Sequence, residues 1–244
     1  MLSLLRLLDP SSGSISVDGT DVSDVSRSTV RQKCFISVPQ DPFLLADATL
    51  RFNVDPNEHY SDDEIVIALK KTQLWRQFSR TEQNGNQTSP AGVEITTNVS
   101  EILETPLSSL PQLSTGQQQL LSLARAVLRA QPPALVVPYT DRPVLVQTKP
   151  ILLLDEATSS LDEETEAMIY DIIQQEFTDK GNTVIAISHR LGALRKGWKK
   201  GRDVLVRMAE GNIEWVGDLE DVLGEGVEDA EVGDEESGSE AGKQ

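Results

Sequence analysis

The chain has 244 residues, 38% of them hydrophobic and 25% charged, with a net charge of −17 at pH 7. That length suits one large domain or two small ones, and the acidic balance argues against sequence-independent DNA or RNA binding, which needs a basic surface. The one cysteine, Cys34, excludes an internal disulfide and favours a reducing compartment, and no apolar run reaches the ~18 residues of a membrane-spanning helix.

Leucines at helical spacing fill the first eight residues, and the pattern ends at Asp9-Pro10. This predicted helix starts at Met1 without a capping residue, so we expect the N-terminus to be cut. Ser14–Asp18 alternates like a strand and leads into a turn pair, Asp18-Gly19. Cys34–Val38 is a second short run rich in β-forming residues and predicts another strand.

Two helices are predicted in the next part of the chain. Ser61–Phe78 begins with an N-cap serine followed by three acidic residues, and its apolar residues recur at helical spacing. Ser114–Arg129 is the clearest helix, with one apolar face. Residues 84–112 are rich in Asn, Ser, Thr, Pro and Gly and predict a loop, and the prolines of 131–150 predict a loop or insertion.

Short aliphatic runs then alternate with a helical pattern. Ile151–Leu154 and Thr183–Ile187 are continuous aliphatic runs, which are typical of strands buried on both faces. Between them, Asp162–Phe177 predicts a helix whose start carries Ser160 and Glu163 at capping-box spacing. Strands that alternate with helices predict an α/β fold with a parallel sheet.

A hairpin and an acidic tail follow. Asp203–Met208 and Asn212–Val216 flank the pair Glu210-Gly211, which predicts a two-stranded hairpin. From Asp218 to Gln244 the chain has eleven acidic residues and one lysine, a charge of −10 that leaves −7 for the rest. We expect 224–244 to be disordered, because so acidic a segment has too little apolar surface to bury.

Two acids directly follow the first aliphatic run, at Asp155 and Glu156. Ligands of open α/β sheets bind at the carboxyl ends of the strands. There the first acid can hold Mg²⁺ beside a triphosphate, and the second can polarise an attacking water. The alternative is a pair of surface or capping acids after a core strand.

The N-terminus of the helix at Ser114 is a second candidate site. Ser114 is placed to cap it, Gly116 would allow the close approach of a phosphate, and the helix dipole favours negative charge there. An ordinary capped amphipathic helix fits the same residues. Two further polar residues, His189 and Gln40, come just after predicted strands. His189 could contact a γ-phosphate and Gln40 could complete a Mg²⁺ shell, although a structural histidine and a surface glutamine are the simpler interpretations.

The order and spacing of these segments resemble the nucleotide-binding domain of an ABC (ATP-binding cassette) transporter. Leu113–Gln117 resembles the signature motif, Ile151–Glu156 the Walker B motif and Ser159–Asp162 the D-loop, while Gln40 and His189 match the Q-loop glutamine and the switch histidine. The resemblance covers about residues 1–223. The segments Val38-Pro-Gln-Asp-Pro-Phe-Leu and Arg51-Phe-Asn-Val-Asp-Pro are similar to the second such domain of the C subfamily, the multidrug-resistance-associated proteins.

The resemblance implies a P-loop NTPase-like parallel sheet flanked by helices, with a helical subdomain at about 61–130 and the N-terminal strands missing. It implies ATP and Mg²⁺ as cofactors, a second nucleotide-binding domain in a head-to-tail dimer, transmembrane domains as partners, and a place on the cytoplasmic side of a membrane. It also implies residue roles: Glu156 and His189 catalytic, Asp155 and Gln40 at the metal, and Gln40, Ser114, Thr115, Gly116, Gln117 and Asp162 at the cofactor.

One departure from the family pattern leaves the activity open. The Walker A motif, G-x-x-x-x-G-K-[ST], does not occur in the chain, whose single Gly-Lys pair is Gly242-Lys243. One hypothesis is an ATP-hydrolysing domain that drives export of a substrate. The alternative is a fragment without ATPase activity of its own, which supplies its signature motif to a partner. A third class, the ABC ATPases that do not transport, is disfavoured by the two C-subfamily-like segments.

Overall fold

The computed structural model describes residues 1–79, 98–131 and 149–223. The chain forms two compact units, Met1–Ile187 and Ser188–Gln244. The predictions for 84–97, for most of the proline-rich 131–150 and for the acidic tail from 224 lie outside the described residues.

The first unit opens on a short antiparallel hairpin of β1 (Ser16–Val17) and β2 (Thr20–Asp21). Its main sheet is parallel, in the order β3 (Phe35–Val38), β4 (Ile151–Asp155) and β5 (Val184–Ile187). The described helices of this unit are α1 (Arg27–Thr29), which runs on into a π-helical turn (Val30–Cys34), α2 (Leu50–Val54), α3 (Asp62–Lys71), α4 (Trp75–Ser79), α5 (Val99–Leu103), α6 (Thr115–Arg129) and α7 (Glu163–Ile173), with a π-helical turn after it (Gln174–Thr178). The predicted α/β fold with a parallel sheet is confirmed.

Successive side chains of β4 belong to two different hydrophobic clusters, which together form the core of this unit. Leu152 and Leu154 belong to the larger cluster, which includes the apolar residues of α3, α6 and α7. Leu153 belongs to a smaller cluster with Phe35 and residues of the N-terminal hairpin region. Side chains of a strand point alternately to opposite faces of its sheet, so β4 is covered on both faces, as predicted.

The prediction of one helix over Ser61–Phe78 is wrong in the middle. Helix α3 ends at Lys71, and Gln73 takes a left-handed backbone with φ 61°. The backbone N–H of Leu74 then donates to the Leu69 carbonyl at 2.9 Å, and that of Gln73 to the Lys70 carbonyl at 3.0 Å. These two bonds close a Schellman-type end, which normally uses glycine, so the sequence carries little sign of it.

Two other local predictions are wrong. The first eight residues form turns instead of a helix, because Arg6 has φ 51° and eight residues are too few for an isolated helix. The predicted loop 84–112 contains α5, whose first turn is capped by the side chain of Asn98, and a 3₁₀ turn at Leu107–Ser109.

The cap of α7 also differs from the prediction. Asp162, not Ser160, is the N-cap: its carboxylate accepts from the Thr165 backbone N–H at 2.9 Å and from the Thr165 hydroxyl at 2.8 Å. Aspartate is as good an N-cap as serine, and here the helix starts two residues later than the capping-box spacing indicated.

The prediction that the run ending at Ile187 is buried on both faces is wrong. The strand β5 forms, but Ile185 and Ile187 are 37% and 41% exposed. Within the described residues β5 pairs with β4 alone and is therefore an edge strand.

The second unit contains the predicted hairpin, β6 (Leu205–Ala209) and β7 (Asn212–Gly217), with a positive φ at Glu210 and Gly211 in the turn. A 3₁₀ helix (Gly192–Lys196) precedes it and α8 (Leu219–Leu223) follows. No helix in residues 1–79, 98–131 or 149–223 is long and apolar enough to cross a bilayer.

Candidate functional site

Three predicted site residues of the first unit lie at one edge of its parallel sheet. Asp155 is the last residue of β4 and is exposed, Glu156 follows it, and Gln40 comes two residues after β3. The register Val38↔Leu154 places the ends of these two strands together. The Gln40 side chain reaches the loop after β4, where its Nε2 lies 3.4 Å from the Ser159 hydroxyl oxygen.

Glu156 has an unusual backbone, with φ 48°. Its N–H donates to the Ile187 carbonyl at 3.1 Å, and its carbonyl accepts from the Ser159 backbone N–H at 3.1 Å and from the Ser159 hydroxyl at 3.0 Å. The backbone is thus held at both ends of the residue. A left-handed backbone in a residue other than glycine costs about 1–3 kcal/mol and is found preferentially at functional sites.

The N-terminus of α6 carries a complete capping box. The Ser114 hydroxyl accepts from the Gln117 backbone N–H at 3.3 Å, and the Gln117 side-chain oxygen accepts from the Ser114 N–H at 2.9 Å. The predicted cap is therefore confirmed. Ser114 and Thr115 are exposed, and Gly116 and Gln117 are half-buried, so the start of the helix is open on one side.

Gly116 is required for packing between α6 and α7. A Cβ at this position would lie 2.8 Å from the Thr165 methyl carbon, closer than atoms can approach. Thr165 cannot easily turn away, because its hydroxyl donates to the Asp162 carboxylate at 2.8 Å. The N-termini of the two helices therefore lie side by side, and Asp162 comes near the start of α6.

Asp162 is ionised more readily than an ordinary aspartate. The hydrogen bonds from the Thr165 backbone N–H and hydroxyl hold the pKa of its carboxyl below the ordinary value. The side chain is exposed at the start of a helix, where a negative charge is favourable. Its negative charge lies at the start of α7, beside the start of α6.

One predicted site residue lies outside the first unit. His189 belongs to the second unit, where it is the exposed second residue. Its neighbour Ser188 forms a tight turn there, since the Ser188 hydroxyl accepts from the Arg190 N–H and donates to the Arg190 carbonyl, both at 3.0 Å.

Three polar residues that the sequence analysis missed hold the loops around this site. Gln119 of α6 is 2% exposed, and its amide contacts the loops after β3 and β4. Arg125, six residues further along α6, donates to the Phe43 carbonyl at 2.7 Å and to the Asn53 carbonyl. Burial lowers the pKa of the Arg125 guanidinium. Asn53, 2% exposed, donates to the Leu45 carbonyl at 2.8 Å and accepts from its N–H at 2.9 Å.

The donor set at the sheet edge fits Mg²⁺ held beside phosphates. No three His, Cys, Asp or Glu side chains form a metal cluster in the part of the chain that the structure describes. Magnesium is usually held by one or two carboxylates together with waters and phosphates, instead of by a full protein cage. The Asp155 carboxylate and the Gln40 amide are oxygen donors of this kind.

A parallel sheet with acids and an amide at its carboxyl edge is typical of the nucleotide-binding α/β proteins. The chain belongs to the ABC transporter family, whose model matches residues 1–136.

Curated relatives share much of this sequence. The chain is 36% identical over 197 residues to the ATP-dependent bile acid permease of Saccharomyces cerevisiae, and 32% identical over 227 residues to an ABC-type transporter of Gibberella zeae. These alignments cover 77% and 93% of the chain but 10% and 12% of the relatives. The chain thus spans about a tenth of the length of the relatives it matches.

A solved structure has the same fold. The structure of a bacterial Atm1-family ABC exporter with ATP bound aligns with 92% of the chain at a TM-score of 0.64 and 24% sequence identity, over 32% of the exporter chain. At that identity the similarity establishes the fold.

Proposed function

We propose that the chain is the ATP-binding and ATP-hydrolysing part of an ABC exporter, in which hydrolysis drives export of a substrate across a membrane. The observation that carries this proposal is the geometry at the end of β4. There Asp155 is exposed, Glu156 has a constrained left-handed backbone, and Gln40 reaches the same loop. The export function is supported by the transporters that the chain resembles.

Each residue of this group has a role that suits its position. Glu156 would polarise the attacking water, because its carboxylate follows the end of a buried strand where ligands of α/β sheets bind. Asp155 and Gln40 would hold Mg²⁺, and His189 would contact the γ-phosphate. When bound, Mg²⁺ would neutralise negative charge on the phosphates.

The partner of this unit would be a second nucleotide-binding domain in a head-to-tail dimer. Ser114, Thr115, Gly116 and Gln117 would face the nucleotide of that partner, since the start of α6 is exposed. The capping box uses the backbone N–H groups of Ser114 and Gln117, and the N–H groups of Thr115 and Gly116 lie in the first turn, where a helix has no internal acceptor for them. Asp162 lies beside them through Thr165. Transmembrane domains would complete the transporter and place this domain on the cytoplasmic side. The segments at Gln40 and Arg51 favour the second such domain of the C subfamily.

A second candidate function is a module that supplies its signature motif to a partner without hydrolysing ATP itself. The observation that favours it is the lack of a Walker A motif in these 244 residues. Calorimetry with ATP and Mg²⁺ tests it directly: micromolar binding by the chain alone contradicts this module hypothesis. ATP-dependent association with a Walker A-bearing domain, together with millimolar or weaker binding alone, supports it.

The test of the hydrolytic role compares two adjacent acids, Glu156 and Asp155. In a protein where an ABC-family Walker A segment precedes this chain, Glu156→Gln should lower ATP turnover about 10²–10⁴-fold, the range for losing a general base. ATP binding should survive, because glutamine keeps the shape of glutamate and adds no charge. Asp155→Asn should instead weaken Mg²⁺-dependent nucleotide binding.

The matched control is Glu163→Gln, which removes an exposed acid of α7 that the proposal gives no role. Its turnover should stay within about twofold of the parent, since surface changes are usually small. If Glu156→Gln hydrolyses ATP at the parent rate, Glu156 is only a structural acid.

A further inference from the structure

Gln119 is a polar residue where α6 is otherwise packed into the core. It is 2% exposed, and Leu123 and Ala126, which follow it by one and two turns, are 1% exposed each. A leucine at this position would continue that apolar row. The glutamine therefore calls for an explanation, because a buried polar group is costly unless it forms hydrogen bonds.

The amide of Gln119 joins two loops of the proposed nucleotide site. Its Nε2 donates to the Pro39 carbonyl at 2.8 Å and lies 3.3 Å from the Gln40 carbonyl, in the loop after β3. The same nitrogen donates to the Ala157 carbonyl at 2.7 Å, in the loop after β4. One side chain thus satisfies backbone acceptors in the loop that carries Gln40 and in the loop that follows Asp155 and Glu156.

The oxygen of this amide shows that packing alone does not explain a glutamine at position 119. The Gln119 Oε1 is buried and has no hydrogen-bond partner among the described residues. The unpartnered oxygen is a cost that an apolar side chain would avoid. The benefit that offsets this cost is the amide nitrogen, which donates to carbonyls of both loops. The position therefore requires a hydrogen-bond donor and not only a side chain of this volume.

We propose that Gln119 is a positioning residue that fixes the loop of Gln40 and the loop of Glu156 to the helix that carries the signature residues. This inference rests on the proposed function. In that function the loops of Gln40 and Glu156 hold Mg²⁺ and the attacking water, and the start of α6 faces the partner, so Gln119 would support both parts of the site. Gln119 itself would touch no nucleotide. A displacement of α6 would be transmitted through its amide to both loops.

Hydrogen exchange of the full chain without nucleotide tests this support. Gln119→Met fills similar space without a donor, and Gln119→Glu keeps the shape but, when ionised, has no hydrogen to donate. Each should speed exchange about tenfold at the amides of residues 40–41 and 156–159, the effect of losing one net hydrogen bond. Exchange within α6, at 120–128, should change less than twofold.

Ser122→Ala is the matched control, because Ser122 is a buried polar residue of the same helix, 5% exposed. It should leave exchange in both loops at the parent rate. If Gln119→Glu does not fold, Gln119→Met alone still decides the question. Uniformly faster exchange across 1–187, or unchanged exchange in the two loops, would overturn the proposal and show that Gln119 only packs.

A second measurement separates this proposal from the hydrolytic one. In the Walker A-bearing protein used for Glu156, Gln119→Met should lower turnover at saturating ATP about tenfold and leave ATP affinity within about twofold. An equal loss of affinity would overturn a positioning role. Because the exchange experiment contains no nucleotide, its outcome stands whether or not Glu156 proves to be catalytic.

Discussion

Strands β4 and β5 are both short aliphatic runs, but one is buried and the other is largely exposed. Leu152, Leu153 and Leu154 of β4 are 0–3% exposed, whereas Ile185 and Ile187 of β5 are 37% and 41% exposed. In the described structure β4 has a partner strand on each side and a hydrophobic cluster on each face, but β5 pairs on one side only. An aliphatic run therefore predicts a strand, while its neighbours decide how deeply the strand is buried.

The largest expected effect is a difference in stability between truncations of the two strands. In the 244-residue chain, Leu152→Ala should lower the free energy of unfolding by about 2–5 kcal/mol, because it opens a cavity in a closed core. Ile187→Ala should cost less than about 1 kcal/mol, since much of the side chain already contacts water. Denaturant unfolding of both variants measures the comparison.

An equal cost at the two positions would break the comparison. It would mean that β5 is covered in solution, for example by another copy of the chain. Unfolding of the parent and of Ile187→Ala over a range of protein concentrations tests for such coverage. If a second copy covers β5, the stability of the parent depends on protein concentration.

The contrast also shows how far the sequence could be used to predict the structure. The capping box at Ser114 and the run before Asp155 have local signals, and each was predicted at the observed place. The left-handed Gln73 has no such signal, because the usual residue there is glycine. The burial of Gln119 depends on loops far away in the chain, after Val38 and after Glu156. Polarity alone places a glutamine at the surface, so its role could not be predicted from its own helix.

A smaller effect on stability is expected from the backbone conformation of the residue that follows each strand. Glu156 after β4 has φ 48°, whereas Ser188 after β5 does not have a positive φ. Glu156→Gly should therefore be more stable than Glu156→Ala by about 1 kcal/mol, because glycine adopts the left-handed region without strain. At Ser188 the order should reverse, with the glycine variant the less stable by about 0.5–1 kcal/mol.

Paired alanine and glycine variants at the two positions, unfolded in denaturant, give this comparison directly. The alanine variant removes the same side-chain contacts as the glycine variant, so their difference isolates the backbone. If glycine is no better than alanine at residue 156, the backbone there is not strained in solution.

The smallest expected effect lies in the crossover that joins β4 to β5. Glu176, in the π-helical turn after α7, accepts from Lys71 at 2.7 Å and from Lys180 at 2.5 Å. Burial raises the pKa of Glu176, but the hydrogen bonds and positive charges of the two lysines outweigh it and leave the pKa below its ordinary value of 4.5. The folded state therefore favours the ionised carboxylate. Its contribution is complete above pH 4.5 and is lost as the pH falls through the lowered pKa of the folded state.

Glu176→Gln should lower stability by under about 1 kcal/mol at pH 7, since both lysines are partly exposed and such ion pairs are weak. The difference from the parent should stay constant down to about pH 5 and shrink below pH 4.5, because protonation removes the same charge from the parent. Glu101→Gln, at an exposed acid of α5, is the control and should follow the parent at each pH. A difference that persists unchanged at pH 3 would show that Glu176 contributes through packing, and that the crossover is held by contacts other than its two lysines.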